Sequence, residues 1–187
     1  MASKARLGFI GLGTMGRDLL REAVKLTKVE VAALCDIDPE ALADASQLCG
    51  TPPATYADYA EMLKRERLHG AVVAVPQYLH AQVSIDALDA GLHTFCEKPM
   101  AMNVAQCARM IAAAERNGKG LMIGQVLQYM GHYRYVLERI RSGEFGRPLA
   151  MRCIRSSSRF GSWLRPWRQK EATSGGALLE INAHEID

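Results

Sequence analysis

An α/β fold, a doubly wound parallel sheet followed by the beginning of a second α+β domain, is predicted for this chain by three observations. Short apolar runs rich in small and β-branched residues alternate with segments of helical periodicity through residue 125. A glycine-rich turn, Gly11-Leu12-Gly13-Thr14-Met15-Gly16, joins the first run to the first helical segment. The residues with chemistry to offer, Asp36 and Lys98 above all, stand where apolar runs end, which in a parallel α/β sheet is the side of the ligand crevice.

Residues 6–10 enter the glycine turn, and Leu19, Leu20, Ala23 and Val24 recur behind it at helical spacing. Gly11 serves the tight turn, Gly13 the close approach of backbone to a pyrophosphate, and Gly16 the packing of helix on strand. The anion would meet the helix N-terminus, where unpaired N–H groups and the macrodipole favour negative charge. Gly11, Gly13, Thr14, Met15 and Gly16 are therefore candidate cofactor contacts; a tight structural turn is the plainer alternative.

The run at residues 29–35 ends on Asp36, about 20 residues past the last motif glycine, where a ribose-binding acid is expected. A carboxylate there repels a 2′-phosphate, and no arginine follows it, so NAD is favoured over NADP. Asp38 before Pro39 is read as a helix cap. That helix ends near Gly50, and Thr51-Pro52-Pro53 breaks the chain before a short strand at Tyr56 and a helix over 58–65; Tyr56 and Tyr59 read as packing residues.

Residues 71–75 form a fourth strand, suited to burial on both faces and ended by Pro76. The helix after it carries His80 in its first turn and is closed by Gly91. His80 is assigned to the cofactor pocket, against the commoner structural role of a lone histidine. The fifth strand, 92–96, stops abruptly at Glu97-Lys98-Pro99. Taken alone, a Glu-Lys dipeptide reads as a solvated ion pair. At a strand exit beside the glycine turn, Lys98 is aimed at the crevice instead, with Pro99 keeping its backbone extended, Pro76 in the crevice wall and Glu97 orienting the lysine or balancing its charge. A helix over 103–117 and a sixth strand over 121–125 complete the first domain, residues 1–125.

Residues 126–187 read as the N-terminal part of an α+β substrate and oligomerisation domain. A helix over 133–142 precedes a run at 149–155 that alternates like a strand with one exposed face. The polar and basic stretch 156–170, with Trp163, Trp167 and Arg168, reads as a surface loop, and 177–187 as a helix that places Glu180 and His184 on one face. No other carboxylate pair, Ser/His/Asp order or metal-binding cluster competes with that pair, so no metal is expected.

Composition bounds the partners. A net charge of +3 spread along the chain, without a run of like charge, argues against nucleic acid. Five widely spaced cysteines without a Cys-x-x-Cys pair indicate neither a zinc site nor a disulfide framework and fit a reducing cytoplasm. No basic-apolar leader and no apolar run near the roughly 20 residues of a membrane span are found, so neither targeting nor membrane insertion is expected.

Together the glycine turn, Asp36, Val75-Pro76 with His80, Ala90-Gly91-Leu92-His93, Glu97-Lys98-Pro99, Gly143-Glu144-Phe145-Gly146, Trp167-Arg168 and Gly175-Gly176 running to His184 and Asp187 resemble the Gfo/Idh/MocA oxidoreductases, the family of glucose–fructose oxidoreductase and inositol 2-dehydrogenase. The resemblance implies a Rossmann domain binding NAD, a polyol or sugar substrate, and Lys98, His184 and Glu180 acting at the substrate carbinol. It also implies a homo-oligomer at full length. Two positions depart from the family: Glu180 stands where Asp is usual, and Gln128-Tyr129 where Arg-Phe is common. Members of the family continue into a large open sheet, so a truncated chain is expected, with turnover weak or absent. The glycine turn also resembles that of the β-hydroxyacid dehydrogenases, and a non-catalytic dinucleotide-binding regulator is a further alternative.

Overall fold

The computed structural model describes residues 4–152, 154, 166–176, 179 and 183–186. The chain divides into two compact units, Met1–Gly124 and Gln125–Asp187. In the first, β1 (Ala5–Ile10), β2 (Val29–Cys35), β3 (Ala54–Tyr56), β4 (Gly70–Val73), β5 (His93–Cys96) and β6 (Leu121–Ile123) form one sheet in the order β3-β2-β1-β4-β5-β6. Every pairing is parallel. The helices between them are α1 (Thr14–Ala23), α2 (Pro39–Gln47), α3 (Tyr59–Arg65), α4 (His80–Asp89) and α5 (Val104–Asn117). The strand order reverses at the β1/β4 boundary, which in a Rossmann-type sheet places the crevice at the carboxyl ends of those strands.

The period of two along each strand divides the core between the faces of the sheet. Ile10, Ala33 and Cys35 pack with Met62 of α3, Ala81, Val83 and Ala87 of α4 and Met110 of α5. Their neighbours Phe9 and Leu34 point the other way, onto Leu20 and Ala23 of α1 and Ala45 of α2. Leu20, Leu34, Met62, Leu88 and Met110 are completely buried, each contributing about 1.5–3 kcal/mol.

Side chains next to the helices set their limits. Asp38 caps α2 by accepting from Glu40 N at 2.9 Å, and Asp58 caps α3 by accepting from Ala60 N at 2.8 Å. At α5, Asn103 accepts from Gln106 N while Gln106 Oε1 accepts from Met102 N, both at 2.9 Å, a reciprocal cap. The helix stops at Gly118, whose φ of +59° suits a residue without Cβ. Tyr56 and Tyr59 pack against the core, as their apolar surroundings in the sequence suggest, and in addition donate to Glu66 at 2.8 Å and Asp86 at 2.9 Å.

Three strands are shorter than their apolar runs. β4 ends at Val73 although Ala74 N still donates to Ile10 O at 2.8 Å, because β1 turns at Gly11 and leaves Val75 nothing to pair with. β5 begins at His93 and β6 stops at Ile123.

The second unit contains α6 (Gly131–Arg141) and four-residue helices at Glu171–Ser174 and Ala183–Ile186. The strand expected over 149–155 is not formed in its described residues, and Leu149, Met151 and Ile154 are 84, 82 and 71% exposed. Alternation alone does not make a strand; a ladder needs a partner, and the described residues of this unit supply none. Of the helix expected over 177–187, Leu179 and Ala183–Ile186 are described and helical. Trp163 lies outside the described residues, whereas Arg168 stands 5.0 Å over the Trp167 ring. No helix among the described residues is long and apolar enough to cross a membrane.

Candidate functional site

The glycine turn is held by contacts that leave no room for side chains. Gly11 has φ +90°, and a Cβ there would stand 2.6 Å from Ala74 O and 2.7 Å from Val75 N, at the exit of β4. A Cβ at Gly16 would lie 2.0 Å from Gly11 O. Turn, helix start and strand exit therefore interlock. Gly13 occupies the N-cap of α1 without a side-chain cap, and the first turn carries no acidic residue, so its N–H groups suit an anion such as a pyrophosphate. Thr14 and Met15 open the helix, with Met15 45% exposed.

Asp36 is joined to this turn. Its Oδ2 accepts from Leu12 N at 2.6 Å and its Oδ1 from Asp38 N at 3.0 Å. Main-chain donors thus orient the carboxylate, and a carboxylate with about four lone-pair sites retains capacity for ribose hydroxyls. Asp38, meanwhile, is engaged as the α2 cap. Ile37, between the two acids, is 90% exposed. Leu12, completely buried inside the turn, was marked in the sequence only by being apolar among glycines, yet its N–H links turn to acid.

Across the switch point, Pro76 precedes the turn Gln77–Leu79 and accepts from Leu79 N at 2.8 Å. His80 follows as the first residue of α4 and is 2% exposed. Its Nδ1 lies 2.7 Å from Pro99 O and its Nε2 2.9 Å from Val75 O. The sequence placed His80 beside the cofactor; both of its ring nitrogens face main-chain carbonyls of neighbouring loops.

At the exit of β5, Glu97 is 8% exposed, with its N donating to Val73 O at 2.9 Å and its Oε2 accepting from Lys98 N at 3.2 Å. A Cβ at Gly124 would come within 3.3 Å of Glu97 Oε1, so the exit of β6 leaves this carboxylate its space. Lys98 is half-buried, and the Lys98–Pro99 peptide is cis. Burial pushes the neighbouring Cys96 thiol up to about 12 and, together with the Asp36 carboxylate, Cys35 up to about 12. Both cysteines are thus neutral core thiols rather than nucleophiles. Among the described residues no group of three or more His, Cys, Asp or Glu could hold a metal ion.

Gly11, Gly13, Thr14, Met15, Gly16, Asp36, Pro76, His80, Glu97 and Lys98 therefore all belong to the carboxyl edge of one sheet. His184 is half-buried in the second unit, in the helix Ala183–Ile186, whose first carbonyl accepts from Gln125 Nε2 at 3.1 Å. Glu180 lies outside the described residues.

Comparison with known proteins adds the lineage. Residues 5–125 match the model described as an oxidoreductase family with an NAD-binding Rossmann fold, GFO/IDH/MocA, and residues 133–187 match the GFO/IDH/MocA C-terminal domain. The inositol 2-dehydrogenase of Salmonella typhimurium is 32% identical over 184 residues, covering 97% of this chain and 52% of that protein. A glycosyl hydrolase family 109 protein of Shewanella pealeana is 30% identical over 183 residues, covering 88% of this chain and 40% of its own length. The crystal structure of the WlbA dehydrogenase from Bordetella pertussis, in complex with NADH and UDP-GlcNAcA, superposes with a TM-score of 0.72 at 29% identity, over 77% of this chain and 44% of that one. The chain spans about half the length, or less, of the curated relatives it matches.

Proposed function

Because the chain belongs to the GFO/IDH/MocA family of oxidoreductases, with the NAD-binding Rossmann fold over residues 5–125, we propose that it carries out NAD-dependent hydride transfer at a secondary alcohol, or the matching ketone, of a sugar, an inositol or a related polyol. One observation carries this reading: an uncapped helix start, an oriented carboxylate at Asp36 and Lys98 share one edge of the sheet. Residues 1–125 are the NAD-binding part in this reading, and 126–187 belong to the substrate and oligomerisation part, which supports a homo-oligomer.

The dinucleotide, when bound, supplies the hydride acceptor or donor. The residues suited to hold it are Gly11, Gly13, Thr14, Met15 and Gly16 at the pyrophosphate and Asp36 at the ribose, where negative charge favours NAD over NADP. Lys98 and His184 manage the proton. As the carbinol is oxidised its hydroxyl proton must leave, and these two side chains hydrogen-bond that oxygen and share the proton. Glu180, four residues before His184, is assigned to orient it. The names of the relatives support a polyol or sugar substrate, since they include an inositol dehydrogenase and a dehydrogenase crystallised with a nucleotide sugar.

A fluorescence titration with NADH, followed by a screen of polyols and sugars for NADH formation, tests the reading. In an active full-length form, Lys98→Ala is expected to lower turnover by about 10²–10⁴-fold while NADH still binds. Loss of NADH affinity in that variant would remove Lys98 from the proton-handling role. NADH binding without turnover of any polyol, in a form extended to the length of the relatives, would make the protein a non-catalytic dinucleotide binder.

A further inference from the structure

His80 stands apart from the other candidate site residues in joining two loops through their main chains. It is 2% exposed and lies between Val75 O, 2.9 Å from Nε2, and Pro99 O, 2.7 Å from Nδ1. Val75 is also the residue against which the glycine turn is seated, since a Cβ at Gly11 would meet its N at 2.7 Å. Pro99 directly follows Lys98. A continuous path thus runs from the pyrophosphate turn through Val75 and the imidazole of His80 to Pro99 and the lysine. We infer that His80 is a positioning residue, tying the loop that bears Lys98 to the β4 exit on which the glycine turn rests, and so setting where the Lys98 amine stands relative to the dinucleotide.

The chemistry of the contacts supports this assignment. A carbonyl oxygen only accepts, so each contact is a hydrogen bond only when the facing ring nitrogen carries a proton. The inference requires the proton on Nδ1, so that the ring donates to Pro99 O and toward the lysine loop. Placement on the first residue of α4 gives the ring a rigid base. The alternative that His80 touches the cofactor requires a ring nitrogen turned to the crevice, whereas in this conformation both face main-chain carbonyls. The inference rests on the proposed role of Lys98, and its test separates the two.

The full chain contains seven lysines, few enough for each to give a resolved ¹³C signal after reductive methylation, with Lys98→Arg identifying the Lys98 signal. Two measurements are needed. In native protein labelled with ¹⁵N-histidine, the His80 Nδ1 is expected to resonate as a protonated ring nitrogen; a bare Nδ1 overturns the inference. In His80→Ala the Lys98 signal is expected to shift while the other lysine signals stay, and His80→Gln, which keeps one N–H donor, is expected to restore it in part. A Lys98 signal at its native position in a His80→Ala protein that still melts cooperatively overturns the inference. Failure of the native chain to bind NADH would overturn the functional reading instead, leaving the state of the His80 ring and the shift of Lys98 as they are measured.

Discussion

The two edges of the same sheet use polar side chains differently. At the amino ends of the strands, ion pairs join the bonds from side chain to backbone: Arg6 pairs with Glu30 and, at 3.4 Å, with Glu66, each of these side chains being partly exposed, and donates from Nε to Arg67 O. Histidines there extend the ladder, His69 Nδ1 accepting from Arg6 N and His93 Nδ1 from Gly120 N, both at 3.0 Å. At the carboxyl ends the polar side chains bind backbone: Asp36 holds Leu12 N, Glu97 holds Lys98 N, and His80 faces two carbonyls. The difference lies in what each edge fixes. Pairs of exposed charges tie segments together loosely and are screened by water. Side chain to backbone contacts in buried loops fix the course of the chain itself, which a binding site requires.

The contrast breaks first at Gly16→Ala. A Cβ 2.0 Å from Gly11 O has only backbone to displace, and a loss of about 3 kcal/mol or more in urea denaturation is expected, together with loss of NADH binding. Unchanged stability and affinity would mean that the interlock at the carboxyl edge is absent. Next is Asp36→Ala, which strands Leu12 N inside the turn and is expected to cost about 1.5–3 kcal/mol, with Asp36→Asn recovering part of it. Pairing Asp36→Ser with Ile37→Arg is expected to move cofactor preference toward NADP in a competition titration; no movement would leave Asp36 a loop anchor alone.

The amino edge should respond less. Arg6→Ala removes two partly exposed ion pairs and a donor to Arg67 O, for an expected loss of about 1 kcal/mol with NADH affinity unchanged. A fall in affinity would show that the two edges are coupled. Smallest is Arg116→Ala, at the exposed pair with Asp89, where Arg116 approaches both carboxylate oxygens at 2.6 and 2.7 Å. Arg116, followed by Asn117, holds the Asp89 carboxyl below its usual range, so the native state binds fewer protons there than the unfolded chain. The contribution is present at neutral pH, above the unfolded carboxylate value near 4, and is lost as pH falls through the lowered native value. Removing the arginine is expected to cost about 0.2–1 kcal/mol at pH 7, and the melting temperatures of variant and parent should converge as pH falls through and below the lowered Asp89 value.

What could be read from the sequence was local. The glycine turn, Asp36 at a strand end, Asp38 before Pro39, and Gly118 closing a helix each declare themselves within a few residues, because caps and turns are built from neighbours. The partners of His80 could not be read the same way: Val75 and Pro99 are 5 and 19 residues away and contribute only carbonyls, which every residue possesses. Leu12 was similarly hidden, its part in the site being a main-chain N–H. The strand expected at 149–155 is not formed in its described residues for the converse reason, since alternation describes a face and the ladder needs a second segment.

The place of β1 in the sheet has a consequence for the chain as it is being made. β1 is synthesised first, yet it ends between β2 and β4, and Arg6 finds its partners 24, 60, 61 and 63 residues later. Until residue 73 has left the ribosome, the nascent protein carries an apolar strand whose second edge has no cognate neighbour. Such an edge recruits strands from other chains, and pairing at this sequence distance forms slowly. During the interval between the emergence of β2 and of β4, therefore, the second edge of β1 is open to such pairing, and a chaperone that covers β1 would limit it.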